Sequence, residues 1–331
     1  MKILNSWEGS FEKNLKFDEN NSLSFDLNGY RFRNPFGLDD GFDKNCEIIK
    51  HLSYFGFGYS GVGTITDKPR EGNPKPRLVV DNEKHALYNA LGFNSYGVEY
   101  CRDKLDEYIR IPKEYRIPIF VSYSGIPVNG NIDLAMDENR KIVDTLNPYC
   151  EGFTYNPSSP NTYELKILRN PEILQMAVQD LKDRAKGKLK FVKFPPYEND
   201  NEKEEILKQI KACHDYIDGI VLVNARKVDK KVFEKKARDF GFPTAGESGK
   251  PLKPYALKAI KNFHDLFPDL LIRGVGGIYS SRDAYEFLKS GATLVEFYTV
   301  LTFKGFGFVG ELKRDLPKLL KKMVSTLTKN F

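Results

Sequence analysis

The chain has 331 residues, of which 40% are hydrophobic and 29% are charged, and its formal net charge at pH 7 is +6. This is the composition of a globular protein long enough for one large α/β barrel or two ordinary domains. A membrane-spanning protein is excluded, because no run approaches the roughly 18 unbroken apolar residues of a membrane span. A secreted protein is not indicated, because the N-terminus lacks the apolar core of a signal peptide. Basic residues are mixed with acidic ones, which argues against an extended nucleic-acid-binding surface. We therefore expect a cytoplasmic protein without stable membrane insertion and with a small anionic molecule as its partner.

The cysteines and histidines follow no metal-binding or disulfide pattern. The four cysteines lie far apart with no C-x-x-C pair, and the four histidines have no recognisable metal spacing. We predict no metal site, and we expect reduced, buried cysteines that pack as small apolar side chains.

The N-terminal part of the chain is predicted to form a polar segment followed by a hairpin. Residues 1–22 are rich in Asn and Lys, and we expect them to be loosely ordered outside the folded domain, 23–331. Residues 23–27 and 30–32 alternate apolar and polar side chains, and the Asn28-Gly29 pair between them favours a two-residue hairpin turn. We predict that this hairpin covers the bottom of the domain.

After the hairpin, a short apolar strand, a polar or Gly/Pro break and an amphipathic helix repeat along the chain. Strands are predicted at 36–39, 57–63, 117–122, 152–156, 189–194, 216–223, 270–274 and 292–297. Helices are predicted at 46–54, 96–109, 134–146, 171–186, 202–214, 254–263, 281–290 and from 311 onward. The alternation indicates a parallel sheet, and eight units indicate a closed (β/α)₈ TIM barrel in a single domain. A doubly wound open sheet is the alternative.

Polar side chains collect where the predicted strands end, which is where barrels of this kind place their active sites. The longest such stretch is Asn156-Pro157-Ser158-Ser159-Pro160-Asn161-Thr162, which is either an ordinary turn or a loop of the site, since turns use the same residue types. Other strand ends carry Asp39, Asp40, Lys44, Thr64, Ser122, Lys193, Asn224, Tyr298 and Thr299.

Glycine-rich stretches and two lysines indicate an anionic, electron-rich ligand. Gly276-Gly277 precedes the start of a predicted helix, an arrangement that suits a phosphate group, and 246–249 forms a second glycine-bearing loop. A tight turn without a ligand is the alternative for the first of these. Lys44 and Lys193 lie in apolar or Gly-rich sequence, so we predict that they reach into the site rather than along the surface.

Motifs along most of the chain resemble the dihydroorotate dehydrogenases, specifically class 2. They are NPFGL at 34–38, GFDKN at 41–45, KPREGNPKPR at 68–77, GFNS at 92–95, SSPNT at 158–162, SGKPL at 248–252, GVGG at 274–277 and YTVLTFKG at 298–305. The resemblance implies an FMN-dependent barrel that oxidises (S)-dihydroorotate to orotate in pyrimidine biosynthesis.

The resemblance also implies roles for individual residues. Ser159 would be the base, where class 1 enzymes use cysteine, and Lys44 would contact both flavin and substrate. The implied substrate ligands are Asn89, Asn156, Asn161 and Asn224. The implied FMN ligands are Gly41, Lys44, Thr64, Lys193, Ser248, Gly249, Gly276, Gly277, Tyr298 and Thr299.

The flavin loop departs from the family. Asp39-Asp40 stands where the family has two small apolar residues. These carboxylates either face the flavin, where they would lower its reduction potential, or turn away from it or pair with Lys44, Lys193 or Arg70.

Other departures concern the substrate and the oxidant. Ala225 replaces a usual threonine, Ser122 an expected asparagine, and Pro157 interrupts the substrate loop. Residues 1–22 are too short and polar to form the amphipathic helices of a class 2 quinone tunnel, so a quinone is not predicted as oxidant. NAD is not predicted either, because nothing in the chain resembles the cysteine cluster of an iron-sulfur partner subunit. Two alternatives stay open: a paralogue acting on another cyclic amide or unsaturated acid, and a non-catalytic FMN- or phosphate-binding relative.

Overall fold

The computed structural model describes residues 23–160, 162–234 and 239–327, so the polar segment 1–22 lies outside it. The strands are β1 (Phe25–Leu27), β2 (Tyr30–Phe32), β3 (Phe36–Leu38), β4 (Tyr59–Ile65), β5 (Leu78–Asp81), β6 (Ala86–Asn89), β7 (Ile119–Tyr123), β8 (Gly152–Tyr155), β9 (Leu189–Phe194), β10 (Gly219–Leu222), β11 (Arg226–Asp229), β12 (Thr244–Gly249), β13 (Leu271–Val275) and β14 (Leu294–Phe297). The helices are α1 (Ile49–Leu52), α2 (Val98–Ile109), α3 (Ile132–Leu146), α4 (Pro171–Arg184), α5 (Asp200–Cys213), α6 (Lys253–Leu266), α7 (Ser281–Lys289), α8 (Thr299–Lys304) and α9 (Gly307–Leu327).

Eight parallel strands close into a barrel. Around the barrel they follow chain order, β3-β4-β7-β8-β9-β10-β13-β14, and β14 pairs with β3 to complete the ring. Strands β4 and β7 are buried along their whole length, and β7 accordingly has a nearly unbroken apolar sequence. The predicted (β/α)₈ barrel is confirmed, and the open-sheet alternative is wrong.

The outer helices pack one apolar face on the barrel. In α2 the buried residues are Val98, Cys101, Leu105 and Tyr108, a spacing of three to four residues that places them on one side of the helix. Asparagine side chains cap the N-termini of α3, α4 and α5, and Ser280 caps α7. The predicted helices are observed to within a few residues, although α1 is shorter, α9 begins at residue 307 rather than 311, and α8 was not predicted.

The N-terminal hairpin closes the bottom of the barrel, as predicted. Strands β1 and β2 pair with Leu27 opposite Tyr30, and Asn28 and Gly29 turn the chain with φ of 49° and 79°. Phe32 is fully buried, and its ring centroid lies 5.9 Å from that of Tyr59 and 6.3 Å from that of Phe120, both of which lie near the beginning of barrel strands. The hairpin therefore shields the barrel interior from solvent.

A four-stranded antiparallel sheet was not predicted. It has the order β11-β12-β6-β5 and is built from two excursions, one between β4 and α2 and one between β10 and α6. The stretch 246–249, predicted as a glycine-bearing loop, belongs to strand β12, so that prediction is wrong. The sheet pairs segments far apart in the chain, with Gly246 opposite Asn89, and such pairing leaves no local periodicity in the sequence.

None of the helices in the described ranges combines the length and the apolar character that crossing a membrane requires.

We predict that Phe32→Ala lowers the free energy of unfolding by about 3 to 5 kcal/mol, because it empties the contact between the hairpin and the barrel interior. Urea unfolding followed by circular dichroism measures this. Met176→Ala, at a helical position that is 54% exposed, is the control and should change stability by less than about 0.5 kcal/mol. Equal effects of the two substitutions would show that the hairpin does not stabilise the barrel.

Candidate active site

A cavity opens at the carboxyl ends of the barrel strands. The predicted site residues that line it are Gly41, Lys44, Thr64, Asn89, Asn156, Ser159, Lys193, Asn224, Ser248, Gly249, Gly276, Gly277, Tyr298 and Thr299. Asn161 lies outside the described residues. The structure thus brings every described member of the predicted site into one cavity, while the individual roles remain predictions.

Side-chain amides on one wall hold each other in place. Asn224 Nδ2 donates to Asn156 Oδ1 at 3.1 Å, and Asn156 Nδ2 donates to Thr64 Oγ1 at 2.9 Å. Asn89 approaches from β6 of the antiparallel sheet, and its Nδ2 donates to the carbonyl oxygen of Gly246 at 3.2 Å. These amides are oriented before any ligand binds, which favours recognition of a planar molecule with amide edges.

The two adjacent serines of the loop after β8 have different environments. Ser158 is buried, donates to the carbonyl oxygen of Lys193 at 2.7 Å and accepts from Asn224 Nδ2 at 3.0 Å. Ser159 is half-buried and lines the cavity. Ser158 therefore anchors the loop, and Ser159 is the serine of this pair that lines the cavity.

Backbone and hydroxyl groups form the opposite wall. Gly276 and Gly277 have φ of 116° and 82°, and a β-carbon on Gly277 would lie 2.7 Å from the backbone nitrogen of Lys253. Only glycine fits there, so main-chain atoms face the cavity. Beside them Ser248 Oγ and Thr299 Oγ1 lie 2.8 Å apart, at the start of α8. Such a set of groups suits a phosphate.

Lys44 lies near both cations and carboxylates of the cavity wall. Burial lowers the pKa of Lys44 to about 8, and the positive charges of Lys193 and Arg77 act in the same direction. The preceding residue, Asp43, accepts hydrogen bonds from the backbone nitrogens of Glu47 and Ile48, which fixes the loop that carries Lys44. At neutral pH the Lys44 ammonium is available to an anionic ligand.

The paired carboxylates of the flavin loop bind cations of the barrel interior. Lys193 Nζ lies 2.6 Å from Asp39 Oδ1 and 3.6 Å from Asp40 Oδ2, and Asp40 Oδ1 lies 3.3 Å from an Arg273 guanidinium nitrogen. All four side chains are buried. Of the three partners predicted for this pair, Lys193 is the one observed.

Arg273 and Glu296 complete this network, and the sequence analysis missed both. Arg273 is fully buried, and its guanidinium donates to Glu296 Oε1 at 2.9 Å and to Thr154 Oγ1 at 2.6 Å. Its charged carbon lies 4.8 Å from the ring centroid of Phe120 and 5.1 Å from that of Phe191. A single charged residue inside each of two otherwise apolar strands was the signal that could have identified them.

Residues 22–320 match the family model described as dihydroorotate dehydrogenase. The chain belongs to the dihydroorotate dehydrogenase family. The family inferred from the sequence motifs is therefore confirmed, and with it the prediction of an oxidoreductase of this type.

Relatives and solved structures agree with this membership. A mitochondrial dihydroorotate dehydrogenase (quinone) of Mus musculus is 33% identical over 324 residues, covering 92% of this chain and 78% of the relative. A dihydroorotate dehydrogenase (quinone) of Erythrobacter litoralis is 32% identical over 304 residues, covering 91% and 85%. The crystal structure of ligand-free DHODH from Eimeria tenella superposes with a TM-score of 0.83 at 27% identity, covering 97% of this chain and 94% of the other.

The predicted departures from the dihydroorotate dehydrogenase pattern have different positions relative to the cavity. Ala225 lines it. Ser122 is fully buried, and its Oγ lies 3.2 Å from Thr64 Oγ1, so it acts on the cavity through that threonine. Pro157 lines a second cavity, on the other side of the Ser158-Ser159 loop, which Ser159 and Ala225 also line.

We predict that Ser158→Ala destabilises the fold by about 1 to 3 kcal/mol, because it leaves the buried Lys193 carbonyl without its donor. Ser159→Ala, the matched substitution at the next position, should change stability by less than about 0.5 kcal/mol. Thermal or urea unfolding of the two variants measures the difference. A Ser159 variant that is the less stable of the two would contradict the assignment of Ser158 as the anchor.

Proposed function

We propose that the protein oxidises dihydroorotate to orotate in pyrimidine biosynthesis, with FMN as cofactor and Ser159 as base. Family membership supports the reaction. The observation that carries the assignment to this site is the meeting of Ser159, Lys44 and the amides of Asn89, Asn156 and Asn224 in one cavity at the carboxyl ends of the strands.

The groups of the cavity fit FMN. Main-chain atoms of Gly276 and Gly277, with the hydroxyls of Ser248 and Thr299, would hold the phosphate. Lys193 reaches the same cavity from β9 and would lie against an electron-rich part of the ring. FMN supplies the acceptor for a hydride, which none of the twenty ordinary side chains provides.

The amide wall and Lys44 would bind the substrate. Dihydroorotate has amide donors and acceptors around a ring and carries a carboxylate. Asn156 and Asn224 can pair with both kinds of amide group, because each side chain offers a donor and an acceptor. The Lys44 ammonium would attract the carboxylate and so fix the direction in which the ring lies.

Ser159 would remove the proton. The oxidation takes a proton from one ring carbon and a hydride from its neighbour, and a carbon–carbon double bond forms between them. The Ser159 hydroxyl can accept that proton only if it gives up its own proton. Ser159 is half-buried and lines two cavities, so its own proton would have a path away from the substrate. Ser158 is not the proposed base, because its hydroxyl already donates to the Lys193 carbonyl oxygen and accepts from Asn224.

A cytoplasmic location is part of this proposal. Cys46, Cys101, Cys150 and Cys213 are all free and buried, which suits a reducing compartment. The relatives described above carry quinone in their names.

We predict that the FMN-loaded protein is yellow and that anaerobic dihydroorotate bleaches it. Ser159→Ala should slow this bleaching by at least about a hundredfold, the usual contribution of a positioned base. Stopped-flow absorbance near the flavin maximum measures the rate. Ser159→Cys is the rescue variant, since a thiol can serve as base, and it should recover part of the rate.

The outcomes separate the parts of this proposal. Failure to bind FMN would overturn the flavoprotein assignment, and binding without bleaching would overturn dihydroorotate as substrate. Bleaching at an unchanged rate in Ser159→Ala would place the base elsewhere.

We predict that kcat/KM for dihydroorotate falls about tenfold between pH 7 and pH 9. The pKa of Lys44 is lowered to about 8, so its ammonium is present below that pH and is lost as the pH rises through it. Lys44→Arg keeps the positive charge throughout this range and should remove the fall, even if its overall activity is lower. A wild-type profile that is flat, or an equal fall in Lys44→Arg, would contradict this role of Lys44.

A further inference from the structure

The floor of the cavity contains more carboxylates than cations. Asp39, Asp40 and Glu296 meet Lys193 and Arg273 in one continuous buried network. Asp40 Oδ2 and Glu296 Oε2 are both buried and have no hydrogen-bond partner among the described residues. The positive charges of Lys193 and Arg273 are therefore offset by the surrounding carboxylates, and no excess positive charge is left in the network.

Lys193 is the member of this network whose charge matters most for a ligand. Its side chain lines the cavity, and it would lie against FMN in the function proposed above. Its ammonium is bound at 2.6 Å by Asp39 and lies 3.6 Å from Asp40. Burial disfavours the charged form of Lys193, but these carboxylates outweigh that effect and raise its pKa, so it remains an ammonium with its charge offset.

Asp39 and Asp40 differ in what else they contact. Asp40 is also bound by Arg273, which in turn binds Glu296 and Thr154. Both aspartates line the cavity, but the partner that the structure gives the Asp39 side chain is Lys193, whose ammonium lies closer to Asp39 than to Asp40. Asp39 is thus the group that acts most directly on Lys193 at the ligand surface.

We propose that Asp39 is a positioning residue that fixes Lys193 and offsets its charge, so that a flavin in this cavity has a lower reduction potential than it would beside an unpaired lysine. This inference rests on the proposed function. The physical reason is that two-electron reduction adds negative charge to the flavin. A free ammonium stabilises that charge strongly in a buried site, and an ammonium already bound by a carboxylate stabilises it less.

The test is Asp39→Asn, which keeps the size of the side chain and removes its charge. We expect the ratio of the affinities for reduced and oxidised FMN to rise about tenfold. Anaerobic redox titration should then show a midpoint potential higher by about 30 mV, the shift that a tenfold change gives in a two-electron couple. Dissociation constants for oxidised FMN, measured on the same proteins, provide a readout independent of turnover.

Asp180→Asn is the matched control. Asp180 Oδ2 lies 2.6 Å from Arg140 Nε, the same separation as in the Asp39–Lys193 pair, but the pair joins two outer helices. It should leave the midpoint potential unchanged. An equal shift in both variants would show a general effect of charge rather than a local one and would overturn the proposal.

The remaining outcomes are also decisive. An unchanged or more negative midpoint in Asp39→Asn overturns the proposal while leaving dihydroorotate oxidation intact, whereas a wild-type protein that binds no FMN overturns the proposed function itself. If Asp39→Asn does not fold, Asp39→Ala takes its place, since the family pattern has small apolar residues there, and the same upward shift is expected. Asp39→Glu restores the carboxylate and should return the potential towards the wild-type value.

Discussion

A fully buried arginine supports the floor of the cavity on which the proposed chemistry depends. Arg273 lies between the aromatic rings of Phe120 and Phe191 on one side and the carboxylates of Asp40 and Glu296 on the other. A buried charge is tolerated only when it is paired and hydrogen-bonded, and Arg273 has ionic, hydroxyl and aromatic partners. Burial, together with Asp40 and Asp39, raises the pKa of Glu296 to about 8 against the opposing effect of Arg273. The ion pair with Arg273 therefore opposes the cost of burying the Glu296 carboxylate.

This network also explains how the barrel presents a fixed surface to a ligand. Its members come from β9, β13 and β14 and from the loop after β3, so a single set of contacts ties separate strands together beneath the cavity. Below it, aromatic rings fill the barrel as far as Phe32 of the hairpin. The interior thus has three layers: an aromatic base, a charged middle and a polar cavity. Displacement of the lowest layer would be transmitted upward, because close-packed interiors transmit strain.

The sequence predicted what local patterns determine, and it failed where distant segments meet. The eight barrel strands and their helices followed from periodicity, and Thr64, Lys193 and Asn224 were found because the ends of parallel strands share one edge. The antiparallel sheet could not be found in this way, since β6 and β12 pair across more than half of the domain. The partner of Asp39 was equally undetermined: candidate lysines and arginines lay on different loops, and only the closed barrel places Lys193 beside it.

The positions of the carboxylates bear on whether the site is active. Two free carboxylates beside a flavin would oppose its reduction, so an unpaired Asp39-Asp40 would favour the non-catalytic relative. Both are paired in the structure, with Lys193 and Arg273, so their charge is largely compensated before a ligand binds. Under the proposed function, a compensated lysine would weaken the stabilisation of a reduced flavin without blocking the cavity. Asp39-Asp40 would then adjust the redox chemistry of the site rather than abolish it, since Ser159, Lys44 and the oriented amides line the same cavity.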